Sequence, residues 1–512
     1  MLVRKSIVFV AIVQLVVGCA TVDFDAPKVA TSAVTDTAGT ALGREIESWP
    51  RVQAGESGFY VLLDGIDALS ARLALAARAE RSIDAQYYHL HDDVASRLLA
   101  DALIDAADRG VRVRLLLDDA LTKGLDRHLA AIDAHPNIEL RLFNPFANRS
   151  SRGWNFLRDF GRVNRRMHNK SFTVDNEATV IGGRNIAEEY FAINPGVNFG
   201  DVDVLGFGPV VREVSGMFDE YWNHRVSVPV RQVVAAKYGT EEDLAKLKGL
   251  TQGVFDSVGD TPYAPILKQQ VIDFIWLDES VLVWSPYDFI YDSPDKALRD
   301  RPDDVEILDP TIVRYLFDAR DEVLIISPYF VPRGIGEARL AELRNRGIRV
   351  RVVTNSLAST NQKAVHSGYA ASRKKLLAAG VELYEVHPDG AVAGVDRVGQ
   401  EDPRATLHGK AFAVDRDKLF LGSFNFDPRS TNINTEMGIV FDSPEMTGRF
   451  LDLVDEKFPS RTFRVDLDER GKLRWTGEVL GEQVVTNKEP DAKFWLRFKS
   501  RLIGTLPIKD QL

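Results

Sequence analysis

Two stretches of this chain carry the same unusual spacing of histidine, lysine and aspartate. Residues 168–175 read HNKSFTVD and, after six further residues, 182–185 read GGRN. Residues 408–415 read HGKAFAVD and, again after six residues, 422–425 read GSFN. One H-x-K-x4-D pattern is a weak signal. Two copies 240 residues apart, each followed by the same glycine and asparagine spacing, indicate a duplicated site.

The duplication extends beyond the motifs. Each copy begins with an apolar predicted strand, continues through a helical stretch and reaches a second apolar strand, at 81–88, 94–109 and 110–118 and again at 321–329, 336–345 and 347–353. This order is typical of a βαβ unit, in which helices cover a parallel sheet. We therefore predict an α/β protein of two lobes, each a mixed β-sheet flanked by helices. A pseudo-twofold relation would place the active site at the lobe interface.

Each motif offers a cation and a histidine on one face of the chain, because residues i and i+2 of a strand point to the same side. The glycines that follow lie on the returning strand and allow its backbone to approach closely, which places the asparagine beside the lysine. The predicted site contains His168, Lys170, Asn185, His408, Lys410 and Asn425. Cations and amides can hold the oxygens of one phosphate, and two histidines on opposite sides suit an in-line displacement.

A metal centre and a purely structural role are the competing interpretations of the histidines. A lysine two residues from each histidine would repel a divalent cation, and no H-E-x-x-H spacing occurs. Structural histidines are common, but that explanation requires the same coincidence twice. We therefore expect neither a metal nor another cofactor. Asp175 and Asp415 fall at a turn, too far along to share a ligand with the histidine, where we expect them to hold neighbouring backbone.

The composition is that of an ordinary globular protein, with 512 residues, 45% of them hydrophobic and 27% charged. Whole-chain disorder and a polytopic membrane protein are excluded. The formal net charge of -10 argues against a dedicated nucleic-acid binder, which is more often basic. The single cysteine excludes an intramolecular disulfide and a cysteine-rich zinc site.

The N-terminus is typical of a signal peptide. Arg4 and Lys5 precede an apolar run from Ile7 to Val17, too short to span a bilayer, and the run ends at Gly18-Cys19. This resembles a bacterial lipobox, in which Cys19 carries the lipid anchor; a plain secretory signal is the alternative. We predict residues 1–18 as signal peptide and 19–50 as a flexible tether. The protein would be a lipoprotein facing the periplasm, on either the inner or the outer membrane.

We expect the first lobe at 51–255, an inter-lobe connection at 256–305, the second lobe at 306–460 and a C-terminal hairpin and tail at 461–512. Residues 149–170 form a basic stretch with a single helical stripe of four apolar residues: Phe156, Phe160, Val163 and Met167. Off this stripe lie Arg158, Arg162, Arg165 and Arg166. Either the arginines grip anionic headgroups at a membrane surface, or the helix packs on the body with a solvated arginine face.

The paired motifs resemble the HKD motifs of the phospholipase D superfamily over roughly residues 55–460. A narrower resemblance, to bacterial cardiolipin synthases of the C type, rests on LFNPF at 142–146, the segment 164–175, Trp284-Ser285-Pro286 with Tyr291-Asp292, and Leu506-Pro507-Ile508. The superfamily resemblance implies a phosphatidyl-histidine intermediate, with His168 as nucleophile and His408 as acid and base.

The resemblance also implies roles for further residues. The aspartate that ends each H-x-K-x4-D motif, Asp175 or Asp415, belongs to the catalytic residues that the resemblance implies. Glu436 and Asp201, with Asp203 as an alternative, are the carboxylates that orient the histidines. We expect Asp201 to pair with His168 and Glu436 with His408. Ser423 matches a small polar residue at the phosphate, together with Asn185 and Asn425; the first copy has Gly183 at the position of Ser423.

These expectations favour a phosphatidyltransferase that makes cardiolipin. The partners would be a membrane surface and phospholipids, with phosphatidylglycerol and phosphatidylethanolamine as candidate donors. Hydrolysis of phospholipids by the same chemistry is the alternative. A nuclease of the same superfamily is disfavoured by the two covalent lobes, the predicted anchor and the acidic charge. A scaffolding protein without catalysis is disfavoured because both motifs are intact.

Overall fold

The computed structural model describes residues 22–257, 259, 261–276, 278–298, 307–388, 404–479 and 482–503. The predicted signal peptide, Cys19 and Leu506-Pro507-Ile508 lie outside these residues. The described chain forms two lobes, each built on one large mixed β-sheet. This confirms the predicted α/β class and the two-lobe architecture.

The first lobe and the segment before it contain these elements: α1 (Ala41–Glu47), α2 (Pro50–Gln53), β1 (Gly58–Leu62), α3 (Gly65–Arg78), β2 (Ser82–Tyr87), α4 (Val94–Asp108), β3 (Arg112–Asp118), α5 (Asp126–Asp133), β4 (Ile138–Phe143), α6 (Arg152–Arg158), α7 (Phe160–Val163), β5 (Ser171–Val174), β6 (Ala178–Gly182), β7 (Val197–Gly200), β8 (Asp203–Phe207), α8 (Pro209–Asn223), β9 (Ser227–Pro229), α9 (Val230–Val233), α10 (Glu241–Thr251), α11 (Val254–Ser257), α12 (Ala264–Ile275) and β10 (Val283–Trp284).

The second lobe contains these elements: β11 (Tyr287–Tyr291), α13 (Asp309–Phe317), β12 (Glu322–Ile326), α14 (Ile335–Asn345), β13 (Arg349–Asn355), α15 (Lys363–Ala370), α16 (Arg373–Ala378), β14 (Glu382–Val386), β15 (Arg404–Leu407), β16 (Lys410–Val414), β17 (Lys418–Gly422), α17 (Pro428–Asn432), β18 (Met437–Asp442), α18 (Pro444–Lys457), β19 (Thr462–Leu467), β20 (Leu473–Val479), β21 (Glu482–Thr486) and α19 (Phe494–Ile503). Short 3₁₀ helices lie at Glu188–Tyr190, Glu279–Val281 and Pro294–Ala297.

The two sheets repeat one topology. The first has the strand order β10-β1-β8-β6-β5-β2-β3-β4-β9, and the second β11-β18-β17-β16-β12-β13-β14-β19-β20-β21. In each sheet three successive strands pair in parallel: β2 with β3 and β3 with β4 in the first, and β12 with β13 and β13 with β14 in the second. The remaining neighbours are antiparallel, including the motif strands β5 and β16 against β2 and β12. Helices cover the buried strands, as the apolar runs predict.

The lobes meet through equivalent strands. β6 and β8 of the first sheet contact β17 and β18 of the second. One apolar core crosses this interface, where the rings of Phe59 and Phe441 meet edge to face at 4.8 Å between centroids. A shared core holds the two halves of the site in one fixed relation, since packed interiors resist sliding.

The predicted tether is wrong for residues 22–50. This segment contains α1 and lies along the first lobe, where it supplies acceptors to buried cations. The Arg114 guanidinium donates to the carbonyl of Thr31 at 2.9 Å, and that of Arg141 to the carbonyl of Val29 at 2.6 Å. Buried guanidinium groups need such partners, so the segment packs although its sequence lacks periodicity.

The predicted domain limits also change. The expected inter-lobe connection contributes a strand to each sheet, β10 to the first and β11 to the second, and its helix α12 packs on α3. The predicted hairpin after residue 461 is confirmed as β19 and β20, but it belongs to the second sheet through β14. Unpaired edge strands are unfavourable, so sheet pairing draws these segments into the lobes. Within the described residues, no helix combines the length and apolarity needed to cross a membrane.

Candidate active site

The two histidines lie on short loops just before the motif strands rather than within them. A polar side chain at the end of the central parallel strand holds each loop. The Asp118 carboxylate accepts the backbone N–H of Met167 at 2.8 Å, and the Asn355 amide accepts that of Leu407 at 2.9 Å. These two positioning residues were missed in the sequence. The signal in the sequence is a polar residue at the end of the second apolar strand of each copy, Asp118 in the first and Asn355 in the second.

Each histidine pairs with a carboxylate from the opposite lobe. His168 Nδ1 lies 2.8 Å from Oε2 of Glu436, and His408 Nδ1 lies 2.5 Å from Oδ2 of Asp201. The expected pairs, Asp201 with His168 and Glu436 with His408, are therefore wrong, although both carboxylates are correctly identified. Nδ1–H donates to the carboxylate, which leaves Nε2 of each ring for chemistry.

The backbone explains this exchange. The N–H of His408 donates to the carbonyl of Gly200, and the N–H of His168 donates to the carbonyl of Thr435, at 2.8 and 2.9 Å. Gly200 and Thr435 immediately precede the two carboxylates. β15 pairs in parallel with β7, and Met167 forms a bridge with Thr435, so each histidine loop lies along the carboxylate segment of the other lobe. Asp203, the alternative orienting residue, instead pairs with Arg72 at 2.8 Å.

The motif lysines are buried beside the histidines. Burial lowers the pKa of Lys170 to about 7 and that of Lys410 to about 8, while the site carboxylates oppose this shift. The Lys410 ammonium lies 2.8 Å from Nδ1 and 3.2 Å from Nε2 of His408. The nearby carboxylates keep both pKa values from falling further, so below about pH 7 the two lysines supply positive charge to a bound anion.

Burial also lowers the pKa of both histidines, to about 4 for His168 and about 3 for His408. For His168 the Glu436 carboxylate opposes the shift, and the lysines of both lobes add to it. Burial would raise the pKa of Asp201 and Glu436, but the histidines and lysines outweigh it and lower both values. In the free protein the imidazoles are therefore neutral, and the carboxylates facing them are ionised.

The three residues expected at the phosphate differ in their contacts. The Ser423 hydroxyl donates to Glu436 at 2.6 Å and accepts the N–H of Met437, so it supports the carboxylate that faces His168. The Asn185 amide donates to the Tyr190 hydroxyl and accepts the N–H of His89. Asn425 is buried, and its Oδ1 has no hydrogen-bond partner among the described residues. The predicted contact of Ser423 with a phosphate stays a prediction, and Asn425 is the amide whose oxygen is available to a ligand.

The copies differ at the position of Ser423 for a steric reason. A Cβ on Gly183 would lie 2.1 Å from Oδ1 of Asp201. The shorter aspartate of the first copy occupies the space that a serine side chain needs. Glu436 instead receives hydroxyl donors from Ser423 and from Ser430, the latter at 2.7 Å.

Asp175 and Asp415 lie away from the histidines, at positive φ in the turn after each motif strand. The Asp175 carboxylate accepts the backbone N–H groups of 80–82, and that of Asp415 those of 320–322, at 2.7 to 3.0 Å. These hydrogen bonds fix the start of β2 and β12. The geometry agrees with the turn-holding role and corrects their placement in the catalytic set.

An aromatic wall around the histidines was also missed. Tyr88 packs edge to face on His168 with centroids 5.0 Å apart, and Tyr190 packs in the same way on His408 at 5.0 Å. Phe199 stacks on His408 at 5.5 Å, and Tyr329 lies 6.2 Å from it. These rings exclude water from the imidazoles and strengthen the local electrostatics. The signal in the sequence is a tyrosine after the first strand of each copy, Tyr88 after β2 and Tyr329 after β12.

Two groups of described residues bring histidine and carboxylates close enough for a cation, and neither contains a motif residue. His366, Glu385 and Glu489 surround the Arg373 guanidinium, which already pairs with both glutamates. His91, Asp93 and Glu189 lie near the protein surface, and Asp93 caps α4. At the motif histidines, two ammonium groups stand where a metal would bind, so the residues present do not fit one.

The basic stretch 149–170 does not form one continuous helix. It breaks at Asp159 between α6 and α7, and its apolar stripe divides, with Val163 and Met167 buried and Phe156 and Phe160 exposed. Arg166 is buried and donates to the carbonyl of Val163.

The neighbouring Arg162 donates to Asn144, and Arg165 donates to the carbonyl of Lys296. The predicted face of four arginines is therefore not present, because the guanidinium groups of Arg162, Arg165 and Arg166 bind loops around His168. Arg158 is exposed at the end of α6, with its guanidinium carbon 5.5 Å from the centre of the Trp154 ring. Beside it, α6 and α7 expose four large apolar side chains: Trp154, Phe156, Leu157 and Phe160.

Two α/β lobes with facing HKD loops define a member of the phospholipase D superfamily. A family model described as "Cardiolipin synthase, PLD-like domain" matches residues 73–222 and 312–458. The chain belongs to this family.

It is 39% identical over 467 residues to Cardiolipin synthase C of Escherichia coli (strain K12), covering 89% of this chain and 96% of that protein. It is 25% identical over 387 residues to Cardiolipin synthase A of Pseudomonas putida (strain GB-1), covering 74% of this chain and 64% of that protein. The crystal structure of a phosphatidylserine synthase from Haemophilus influenzae Rd KW20 has the same fold, with a TM-score of 0.53 at 13% identity, covering 81% of this chain and 91% of that one.

Proposed function

We propose that this protein is a phosphatidyltransferase that makes cardiolipin. The observation that carries the proposal is the pair of buried histidines, each with a carboxylate behind Nδ1 and with the lysines of both lobes close enough to lower its pKa. The similarity to a cardiolipin synthase over 89% of the chain supports a phospholipid as the substrate.

The proposed reaction has two displacements at phosphorus. Nε2 of His168 attacks the phosphodiester phosphorus of the first phospholipid, and the bond from phosphorus to the headgroup oxygen breaks. His408 gives its proton to the leaving alcohol, and a phosphatidyl group remains on His168. The headgroup hydroxyl of a phosphatidylglycerol molecule then loses its proton to His408 and attacks phosphorus. The bond to His168 breaks, which restores the imidazole and releases cardiolipin.

The charges of the site suit attack by a neutral imidazole, and the assignment of that role to His168 follows the phospholipase D resemblance. His168 is neutral in the free protein, as a nucleophile requires, because burial lowers its pKa to about 4. His408 needs a proton for the first step, and the negative phosphate of the bound lipid favours that proton. Lys170 and Lys410 neutralise the charge that develops on the phosphate oxygens. Phosphatidylglycerol and phosphatidylethanolamine are both candidate donors.

We further propose that the protein works at a membrane. Cys19, outside the described residues, would carry the lipid anchor of a lipoprotein that faces the periplasm. The exposed apolar side chains of α6 and α7 lie a few residues before His168, where they can enter a lipid surface. Interfacial helices alone would be released by an alkaline carbonate wash, so if fully processed Cys19→Ser protein resists that wash as the native protein does, the anchor is refuted.

Lipid analysis tests the proposed activity. Cells that lack other cardiolipin synthases should accumulate cardiolipin when they produce this protein, but not when they produce the His168→Ala or His408→Ala variant. With purified protein and labelled phosphatidylglycerol, the label should enter cardiolipin. Phosphatidic acid as the dominant product in membranes would support the hydrolase alternative and overturn the transferase.

A further inference from the structure

The C-terminal helix α19 presents its aromatic side outward. Phe494, Trp495 and Phe498 are 64%, 68% and 50% exposed, whereas Ser500 is buried and Leu496 is partly buried. At about 100° per residue, these three aromatic residues share one side of the helix. The helix packs on α15 through its opposite side. Its largest apolar side chains therefore contribute nothing to the core of this chain.

The aromatic residues form a cluster of their own. The Trp495 ring meets Phe494 and Phe498 edge to face, with centroids 5.6 and 5.9 Å apart. Phe494 and Phe498 stack at 6.5 Å. We call these three residues the α19 aromatic face. Such a face on a soluble surface is costly, and it marks an interaction site.

The charges beside this face are positive. Lys493 and Lys499 are exposed and Arg497 is partly buried, and the sequence holds no acidic residue between Asp491 and Asp510. This local excess of positive charge contrasts with the formal net charge of -10 for the whole chain. Aromatic residues flanked by lysine and arginine are typical of helices that lie in the interface of an anionic bilayer.

The helix is connected to the rim of the active site. The Tyr329 hydroxyl donates to Asn361 at 3.0 Å, and the Tyr329 ring packs near His408. Asn361 lies two residues before α15, on which α19 packs. The segment before α19 is held by an ion pair between Glu489 and Arg373 at 2.5 Å. The second lobe thus connects α19 to the loops around His408.

We propose that α19 is an interfacial membrane-binding helix, whose aromatic face enters an anionic phospholipid surface while its lysines contact the headgroups. The proposal rests on the proposed function in that the substrate is a membrane phospholipid. The occupant that fits this face is a lipid surface rather than a second copy of this chain, because exposed aromatic rings with lysines beside them match the acyl chains and the anionic headgroups of one bilayer interface. Together with α6 and α7 of the first lobe, α19 would orient the protein on the bilayer.

A local probe tests this binding in the full chain, independently of any N-terminal anchor. Because Cys19 is the only cysteine, a Cys19→Ser background with Phe498→Cys takes a single nitroxide label. Vesicles of phosphatidylcholine with phosphatidylglycerol should raise its collision rate with oxygen and lower that with a water-soluble nickel complex. The same label at Val485→Cys, an exposed strand position in the second lobe, should not change. If the label at position 498 stays exposed to water in the presence of these vesicles, the proposal is overturned. It is also overturned if the label becomes buried without lipid as the protein concentration rises, because a second copy of the chain would then cover the face.

Variants connect the binding to turnover. Replacing Phe494, Trp495 and Phe498 by serine should lower turnover on vesicles about tenfold or more, and leave turnover in mixed detergent micelles nearly unchanged. Lys493→Gln with Lys499→Gln should lower vesicle turnover at low salt, whereas the control pair Lys246→Gln with Arg449→Gln should not. Equal losses on vesicles and micelles would overturn the membrane role. If the label at position 498 enters the vesicles but the protein shows no turnover, membrane binding by α19 stands and only the proposed function is refuted.

Discussion

Glu436→Gln removes the negative charge that faces His168 and keeps the shape of the side chain. In the native protein, Glu436 accepts hydrogen bonds from His168 Nδ1 at 2.8 Å and from Ser423 at 2.6 Å. The attack on phosphorus places positive charge on the His168 imidazole, and Glu436 stabilises that charge. A neutral amide cannot do so, and its NH₂ group competes with the Nδ1–H donor and favours the wrong tautomer.

The pair distance sets the size of the effect. A full positive charge 2.8 Å from the carboxylate gains about 6 kcal/mol at an effective dielectric constant of about 20. The glutamine carbonyl still accepts one hydrogen bond, worth about 1.5 kcal/mol. The remaining loss of about 4.5 kcal/mol corresponds to a fall in kcat of roughly 10³-fold. Ser423→Ala, which removes one neutral donor to the same carboxylate, should cost about tenfold or less.

Two measurements check this prediction. Acid-quenched single-turnover experiments with labelled lipid should show slower formation of the phosphatidyl-enzyme in the Glu436→Gln variant, with an unchanged thermal unfolding temperature as the control for folding. Long-range ¹H–¹⁵N spectra of the imidazoles should show the altered tautomer at His168, while Asp201→Asn alters His408. A loss of less than tenfold would refute the reasoning, and so would a Glu436→Gln variant that perturbs only His408.

Further predictions concern the lysines, the glycine of the first copy and the absence of a metal. The value of kcat/KM should fall as pH drops through about 4, where His168 gains a proton, and as pH rises above about 7, where Lys170 loses one; a profile level to about pH 9 would contradict this. Lys170→Met or Lys410→Met should each cost several kcal/mol of transition-state stabilisation, measured as the fall in kcat/KM in mixed detergent micelles. Gly183→Ala should displace the Asp201 carboxylate and lower kcat, because the added Cβ would lie 2.1 Å from Oδ1; full activity would show that the loop yields freely. Turnover should survive EDTA, and a loss reversed by one specific cation would restore the metal interpretation.

Much of the fold was predictable because it rests on local patterns. The apolar strands and the helices between them recur about 240 residues apart, and the strands at 82–87 and 322–326 appear where the sequence indicates them. The motif histidines and lysines were identified for the same reason, since their spacing within a short stretch of chain is a local property, although the histidines lie on loops just before the strands. The packing of residues 22–50 was not predictable, because the buried Arg114 and Arg141 that need its carbonyls come from distant elements.

The sequence by itself determined a duplicated α/β chain, the two histidine and lysine pairs and the two carboxylates that serve them. Only the tertiary structure decided which carboxylate faces which histidine. In chain order Asp201 follows His168 and Glu436 follows His408, so a residue pattern favours pairing within each copy. The lobes instead pack face to face, and each histidine loop hydrogen-bonds to the carboxylate segment of the other lobe through the carbonyls of Gly200 and Thr435. The pairing depends on backbone contacts more than 200 residues apart along the chain, which no local spacing encodes.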